Sequence, residues 1–435
     1  MSVTPSGWAA ERLKDVAVIN ANALPAGTDA DYEFDYLEIS NVNYNGMVDP
    51  NAIEHLRFED APSRARRRVA AGSTVISSVR PNLQAVAFFA DAPEHLICST
   101  GFNVVEPRPS KLAPQFAYYH LLSENARQYF EAAATGVGYP AIGDKDFNAF
   151  TITLPPLPEQ HRIAAYLDAS CAAIDAAVSA KRRQLDTLDA LRKSIIQRAV
   201  TQGIASDAAL ESTGNVWLEQ IPRGWKLVAL KRIAEIRGGL TLGKQYEGEL
   251  IERPYLRVGN VQDGHLDLAD VSVIELPASV AAGVELCPDD VLMTEGGDLD
   301  KLGRGHLWRG ELAGCLHQNH IFAVRCFPHK LKPMFLAYAT AAQYGRDYFE
   351  ATGKKTTNLA NTNATKVGQF PIPLPPLAVQ TAICAHLDAK TAEVDRITAT
   401  ITAQIDTLTA YRKSLIHECV TGQRRVTEAD VLAIV

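Results

Sequence analysis

The chain has 435 residues, 47% of them apolar, a formal net charge of −7 and a sequence pI of about 5.9. That length accommodates two or three globular domains, and the acidic balance excludes a protein that grips nucleic acid through overall charge alone, leaving local basic patches as the route to a polyanion. Seven scattered cysteines without a CxxC pair read as reduced, cytoplasmic thiols; no apolar run approaches the ~18 residues of a membrane span, and the N-terminus shows no basic stretch leading into an apolar core.

Residues 1–153 read as a mixed α/β unit. Short alternating runs, Tyr36–Val42 and Thr74–Val79, predict strands, with turns at Asn43–Gly46 and Arg80-Pro81-Asn82. Phe116, Tyr119, Leu122, Tyr129 and Phe130 at helical spacing predict a helix over 114–134, ended by Thr135-Gly136-Val137-Gly138-Tyr139-Pro140. Phe150–Leu154 predicts a last strand.

Residues 154–203, beginning Leu-Pro-Pro-Leu-Pro-Glu-Gln, predict one long helix. Pro158 suits a first turn and Glu159 suits the positive end of the helix dipole. Apolar residues then step by four and three: Leu167, Cys171, Ile174, Val178, Leu185, Leu188 and Ile195. Such a seam over about four heptads is that of a coiled coil, and about 42 helical residues would span roughly 60 Å. Residues 204–219 read as a polar linker.

Residues 220–373 repeat the first unit loosely. Gly224-Trp225 matches Gly7-Trp8, Tyr255–Val261 matches Tyr36–Val42, and Tyr348-Phe349-Glu350 matches Tyr129-Phe130-Glu131. Residues 374–423 repeat the long helix at a fixed offset of 220 residues, with Leu387, Val394, Ile401, Ile405, Leu408 and Leu415 on its seam; residues 424–435 form a C-terminal tail. A repeat of this kind sets the architecture. Lys181, Arg192, Arg412, Thr391 and Thr398 interrupt the seams; they read either as long side chains reaching out of a loose seam or as polar positions fixing register. The two helices most simply pair with each other, and spacing alone leaves parallel and antiparallel pairing open.

The near-identical helices and divergent globules suggest units doing one kind of job on different targets. With its Leu-Pro-Pro-Leu-Pro-Glu-Gln start and Arg-Lys-Ser-Ile-Ile end, returning as Leu-Pro-Pro-Leu-Ala-Val-Gln and Arg-Lys-Ser-Leu-Ile, the chain resembles the specificity subunits of type I restriction–modification systems over essentially its whole length. Cys315–His320 also resembles a segment common in that family, whereas Ala378-Val379 departs from the Pro-Glu of the first copy. The resemblance implies an α+β fold in which two target-recognition domains alternate with two long helices paired as an antiparallel coiled coil. It implies that each globule reads one half of a split double-stranded DNA target. The helices would set the gap and dock methyltransferase subunits, two of them, joined by restriction–translocase subunits. The chain itself would be non-catalytic and without a cofactor, while S-adenosylmethionine, ATP and Mg would serve the partners. The alternative is a coiled-coil scaffold that does not bind DNA.

The residues fit a non-catalytic role. Gly353-Lys354-Lys355-Thr356 lacks the upstream spacing of a phosphate loop. His317 and His320 read as loop or core histidines more readily than as metal ligands, and Asp289-Asp290 as a turn. Arg and Lys suit phosphate or guanine, and Asn and Gln suit adenine. In the first globule the DNA-contact candidates are Arg64, Arg66, Arg67, Arg68, Arg80, Asn82 and Gln84; in the second they are Lys244, Gln245, Tyr246, Lys301, Arg304, Lys354, Lys355, Thr356 and Asn358. Residues 1–153 hold 12 Lys and Arg against 18 Asp and Glu, so the first globule must rely on focused patches or on partners.

Overall fold

The computed structural model describes residues 6–433 except 44, 45, 47, 206, 263, 298–301, 304 and 356–359. The chain divides into two compact units, one of residues 1–182 and 402–435 and the other of residues 183–401. The cuts fall inside the long helices, Leu157–Gln202 and Leu377–Thr421, so each unit joins one globule to a half of both helices.

In the first unit, one antiparallel sheet runs in the order Ala17–Ile19, Phe102–Pro107, Ser73–Ser77, Val86–Phe89. A second runs Glu54–Arg57, Glu33–Leu37, Leu96–Ser99, Ala65–Arg68, with its middle pair parallel. Ala9–Arg12 pairs with Thr151–Leu154 and delivers the chain to the first long helix. The second unit repeats this plan. Ala234–Gly238, Ile321–Cys326, Asp290–Thr294 and Gly305–Leu307 form one sheet; Ser272–Leu276, Ile251–Leu256 and Leu316–His317 form another, again with a parallel pair; Lys226–Ala229 pairs with Pro371–Leu374.

Three elements differ from expectation. The helix expected over 114–134 is two, Pro114–Leu122 and Glu124–Ala133, because buried Ser123 caps the second by accepting from the Ala126 amide (3.4 Å). The break lets Phe130 reach Phe147 and Phe150, with ring centroids 5.0 and 4.9 Å away. The strand expected over 36–42 ends at Leu37, since the Asn41 side chain takes the Glu38 amide (2.6 Å) and curls Ile39–Asn41 into a turn; Asn260 does the same with Arg257 (2.7 Å). The expected linker 204–219 holds a hairpin strand, Leu210–Asn215 paired with Leu218–Pro222, and Leu218 and Ile221 are buried with Ile196, Ala199 and Val200 of the helix.

Each unit pairs its helix halves antiparallel. In the first, Lys181 reaches Gln404 (2.6 Å), Arg412 reaches Asp175 (3.1 Å) and Glu159 reaches Arg425 (2.8 Å). In the second, Arg192 pairs with Asp395, the same pair as Arg412–Asp175 after the 220-residue offset. The charged seam positions therefore bind across the seam instead of merely reaching out of it. Of the expected seam residues, Leu167, Ile174, Val178, Leu387, Val394, Ile401 and Leu415 are buried. Leu185, Leu188, Ile195, Ile405 and Leu408 are half-buried. Near the helix ends burial passes to neighbours, Ile196 in one helix and Ile416 in the other, because the globule there covers a second face. An 18-residue window of the first helix is, by length and composition alone, long and apolar enough to cross a membrane, which amends the sequence expectation; Asp168 and Asp175 on that helix are bound to Tyr119 and Arg412.

The start of each long helix is fixed in one way. Fully buried Gln160 donates to the carbonyls of Lys111 and Pro155 (both 2.9 Å) and accepts from the Ala113 amide (2.8 Å). Gln380 does the same with Lys330, Pro375 and the Lys332 amide (2.9, 2.9 and 2.8 Å). Tyr119 donates to Asp168 (2.7 Å), and Tyr338 to Asp388 (2.6 Å). Gln160→Ala or Gln380→Ala takes the partner from three backbone groups, all at least part-buried, so each should lower the stability of its unit by about 1–3 kcal/mol in a urea melt.

His120 lies fully buried, its Nε2 accepting from the Thr153 amide (3.1 Å), and burial lowers its pKa from 6.5 to about 3. Between those values the unfolded chain holds a proton that the folded one does not. Stability contributed by the neutral ring is thus present above about pH 6.5 and lost as pH falls toward 3. His120→Gln should flatten the fall in melting temperature between pH 7 and 4.5 relative to wild type, the difference reaching at most about 1.4 kcal/mol per pH unit.

Candidate nucleic-acid interface

The basic cluster of the first globule lies on an edge strand, Ala65–Arg68, whose ladder is broken by a bulge between Ala65 and Arg67. The bulge sends the arginines to different places. Arg67 turns inward: its guanidinium donates to the Phe102 carbonyl and to Asn103 Oδ1 (3.0 Å). Asn103 is buried and also receives Asn20 (3.0 Å), so Arg67 closes an interior polar network, and burial lowers its pKa. This corrects its place among the DNA-contact candidates. Arg64 is exposed but tied to Glu38 and to the Tyr36 hydroxyl (3.3 Å). Half-buried Arg66 lies over the Phe58 ring (4.5 Å) and donates to the Ala65 carbonyl (2.8 Å), and exposed Arg68 lies over Tyr32 (5.8 Å), aromatic faces that hold a guanidinium.

The opposite edge strand of that sheet, Glu54–Arg57, is ringed by acids of neighbouring segments. Arg57 is shared by Asp31, Glu59 and Asp60 (3.3, 2.9 and 3.0 Å), and His55 bridges Asp35 (3.0 Å) and Glu33 (3.6 Å), with its pKa raised chiefly by the Asp35 hydrogen bond. A polyanion is repelled there, so a basic surface is confined to the other edge.

Arg80, Asn82 and Gln84 sit on a turn beside the loop that ends the second helix. Val79 bridges to Ala141, and Thr135 pairs with Ala141. The Arg80 amide donates to the Pro140 carbonyl (2.7 Å), and its guanidinium covers the Tyr139 ring (4.3 Å). Asn82 is exposed, whereas Gln84 is half-buried and near the Leu122 carbonyl (3.4 Å). In the second globule the same frame returns: Lys355 pairs with Ala360, which pairs with Gly297. Lys354 is exposed there. Lys244 and Gln245 are exposed on a separate loop, and Tyr246 packs partly into the cluster of Leu240, Leu276 and Leu316. Lys301, Arg304, Thr356 and Asn358 lie outside the described residues.

The acid and histidine pairs are structural. Asp290 is buried, takes two bonds from Arg325 (2.8 and 2.7 Å) and accepts from the Cys287 amide (2.8 Å). His317 faces the Val284 carbonyl (3.0 Å), and His320 pairs with Glu295 (2.8 Å). Among the described residues no three His, Cys, Asp or Glu gather as a metal site.

Residues 5–184 match the family model described as the type I restriction modification DNA specificity domain. The first globule and the start of its long helix are thus similar to the DNA specificity domains of type I restriction–modification systems. It is 27% identical over 204 residues to the putative MjaX specificity subunit of Methanocaldococcus jannaschii, covering 46% of this chain and 47% of that one. It is 24% identical over 347 residues to the EcoKI specificity subunit of Escherichia coli, covering 77% of this chain and 72% of that one. In fold, this chain resembles one from a study of type I system assembly and conformational transition (TM-score 0.77, 22% identity, 98% of this chain and 100% of the other). It also resembles the HsdS subunit of Thermoanaerobacter tengcongensis (TM-score 0.54, 20% identity, 97% and 99%).

Gln160, Gln380, Asp168 and Asp388 are the residues that sequence reasoning passed over. The signal was present: all four recur at the 220-residue offset, the glutamines at the end of the quoted helix starts. Arg67→Ala should act on stability, losing about 1–3 kcal/mol in thermal or urea unfolding, whereas Arg66→Ala should change the melt by less than about 0.5 kcal/mol.

Proposed function

We propose that this chain is the DNA sequence-recognition and assembly subunit of a type I restriction–modification complex. Each globule reads one half of a split double-stranded target. The paired helices set the spacing and dock modification subunits, two of them, and restriction–translocase subunits complete the assembly. Methylation and cleavage belong to those partners, which would hold S-adenosylmethionine, ATP and Mg; the complex works in the cytoplasm. The observation that carries this reading is a division of labour within the chain. The helix starts, their glutamine locks and their cross-seam ion pairs are duplicated, while the loops of the two globules differ on a shared frame. A partner engaged twice requires a surface present twice; two different targets require two different surfaces. Among the described candidates, Arg68, Arg80, Asn82, Lys244, Gln245 and Lys354 are exposed, as phosphate or base contact needs, and Arg66 is half-buried.

The test is a genome-wide map of methylated adenines in cells carrying this chain with its methyltransferase subunit, before and after exchanging the second globule for that of another specificity subunit. The expected outcome is a split motif of which one half changes. Intact assembly with the methyltransferase but no split motif would favour the scaffold reading. In the purified complex, Arg66→Ala with Arg68→Ala should lower the slope of log affinity against log salt by about one to two units.

A further inference from the structure

Gly136-Val137-Gly138-Tyr139 stands out among surface segments not yet assigned a role. Val137 is fully exposed and Tyr139 is 72% exposed, two large apolar side chains on one tip. Scattered exposed apolar residues are ordinary, but this tip is built, and built rigidly. Thr135 and Ala141 exchange both backbone bonds (2.9 and 3.0 Å), Ile142 donates to the Ser78 carbonyl (2.9 Å) and Arg80 donates to Pro140 (2.7 Å). Gly136 and Gly138 take φ of +115° and +85°, values that a side chain would resist. Arg80 itself is held at φ +49°, a conformation uncommon outside glycine that persists where the surroundings impose it. That backbone lays its guanidinium over Tyr139 (4.3 Å) and within 3.4 Å of the Gly138 carbonyl, with exposed Asn82 two residues on. The result is a preformed projection with an apolar point, a stacked aromatic ring and two side chains able to bond base edges.

We propose that the Val137–Tyr139 tip, braced by Arg80, is the base-contacting element of the first globule and sets the sequence of its half of the DNA target. This rests on the reading given under Proposed function. Chemistry favours DNA over a protein partner. The same frame in the second globule carries Gly353-Lys354-Lys355-Thr356-Thr357-Asn358 in sequence, cationic and polar where the first is apolar. A partner docking identically on both globules would require like chemistry at both tips. Two half-targets of different sequence require unlike chemistry. Apolar points serve in grooves by touching the thymine methyl or wedging beside a base step, and an arginine beside them reads guanine or grips phosphate.

The test uses the full chain assembled with its methyltransferase subunit, with Tyr139→Ala combined with Val137→Ala, mapped by methylated-adenine sequencing beside wild type. The expected result is a motif relaxed in one half only: discrimination at one or more positions, roughly 10- to 100-fold in a specific contact, falls below about 3-fold, while the other half is untouched. An unchanged motif at unchanged occupancy overturns the proposal. If methylation disappears while melting temperature and assembly are unchanged, binding of the purified complex to the wild-type site and to unrelated duplex decides. Loss of specific binding alone supports the proposal, and equal loss of both overturns it by making the tip a general grip. A wild-type map without any split motif would instead overturn the function on which the proposal rests, and the proposal with it.

Discussion

A buried amide at the start of each long helix is the constraint on which the remainder depends. Two prolines leave the chain short of amide donors just where strand turns into helix. Gln160 and Gln380 bridge that gap by binding the carbonyl of the first proline of each pair and the loop leading into the globule's first paired helix. A carboxylate in that place could accept but not donate, and an apolar residue could do neither. Each globule is thereby fastened to its helix at a fixed angle, and the Tyr119–Asp168 and Tyr338–Asp388 bonds repeat the fastening two turns further along. On the proposed function, measuring distance between two readers needs such joints more than it needs large cores.

The helix pair is held by a different balance. The seam is not a run of leucines; isoleucine and valine share it, and Cys171, Thr391, Thr398, Lys181, Arg192 and Arg412 interrupt it. Arg412 with Asp175, and Arg192 with Asp395, cross it at equivalent places. Partly exposed pairs of this kind contribute little to stability, but each has one geometry in which both charges meet, and a slip of one turn would separate them. Their effect is on register, and register fixes the spacing between whatever the helices carry.

Much of this was legible in the sequence because duplication makes structure audible. The helix starts, the heptad seam, the Gly-Trp markers and the alternation of globule with helix all appear in a comparison of the chain with itself. What was not legible depends on contacts distant in sequence. Arg67 reads as one of four like charges until the bulge turns it onto Asn103, and Ser123 reads as a mid-helix residue until its hydroxyl caps a new helix. The direction of helix pairing was likewise open to spacing alone, and the ion pairs decide it within each unit. Tyr139 escaped attention because an aromatic residue in a glycine loop is not a basic patch, and only the ring of Arg80 contacts gives it a place.

The division between duplicated and divergent residues carries the argument one step further. Residues under a common constraint, the glutamines, the tyrosine–aspartate pairs and the seam charges, are the same in both halves because the joint they make is the same. The loop frames are also the same: Asn41 and Asn260 curl one turn alike, and Ala141 and Ala360 pair alike. The tips depart in sequence. A frame that keeps its hydrogen bonds while its tip changes allows a new target to be read without disturbing the joint or the register, because none of the backbone bonds that hold the frame involves a tip side chain. On the proposed reading, specificity would therefore change by small substitutions at a tip, with the joints and the seam charges left intact.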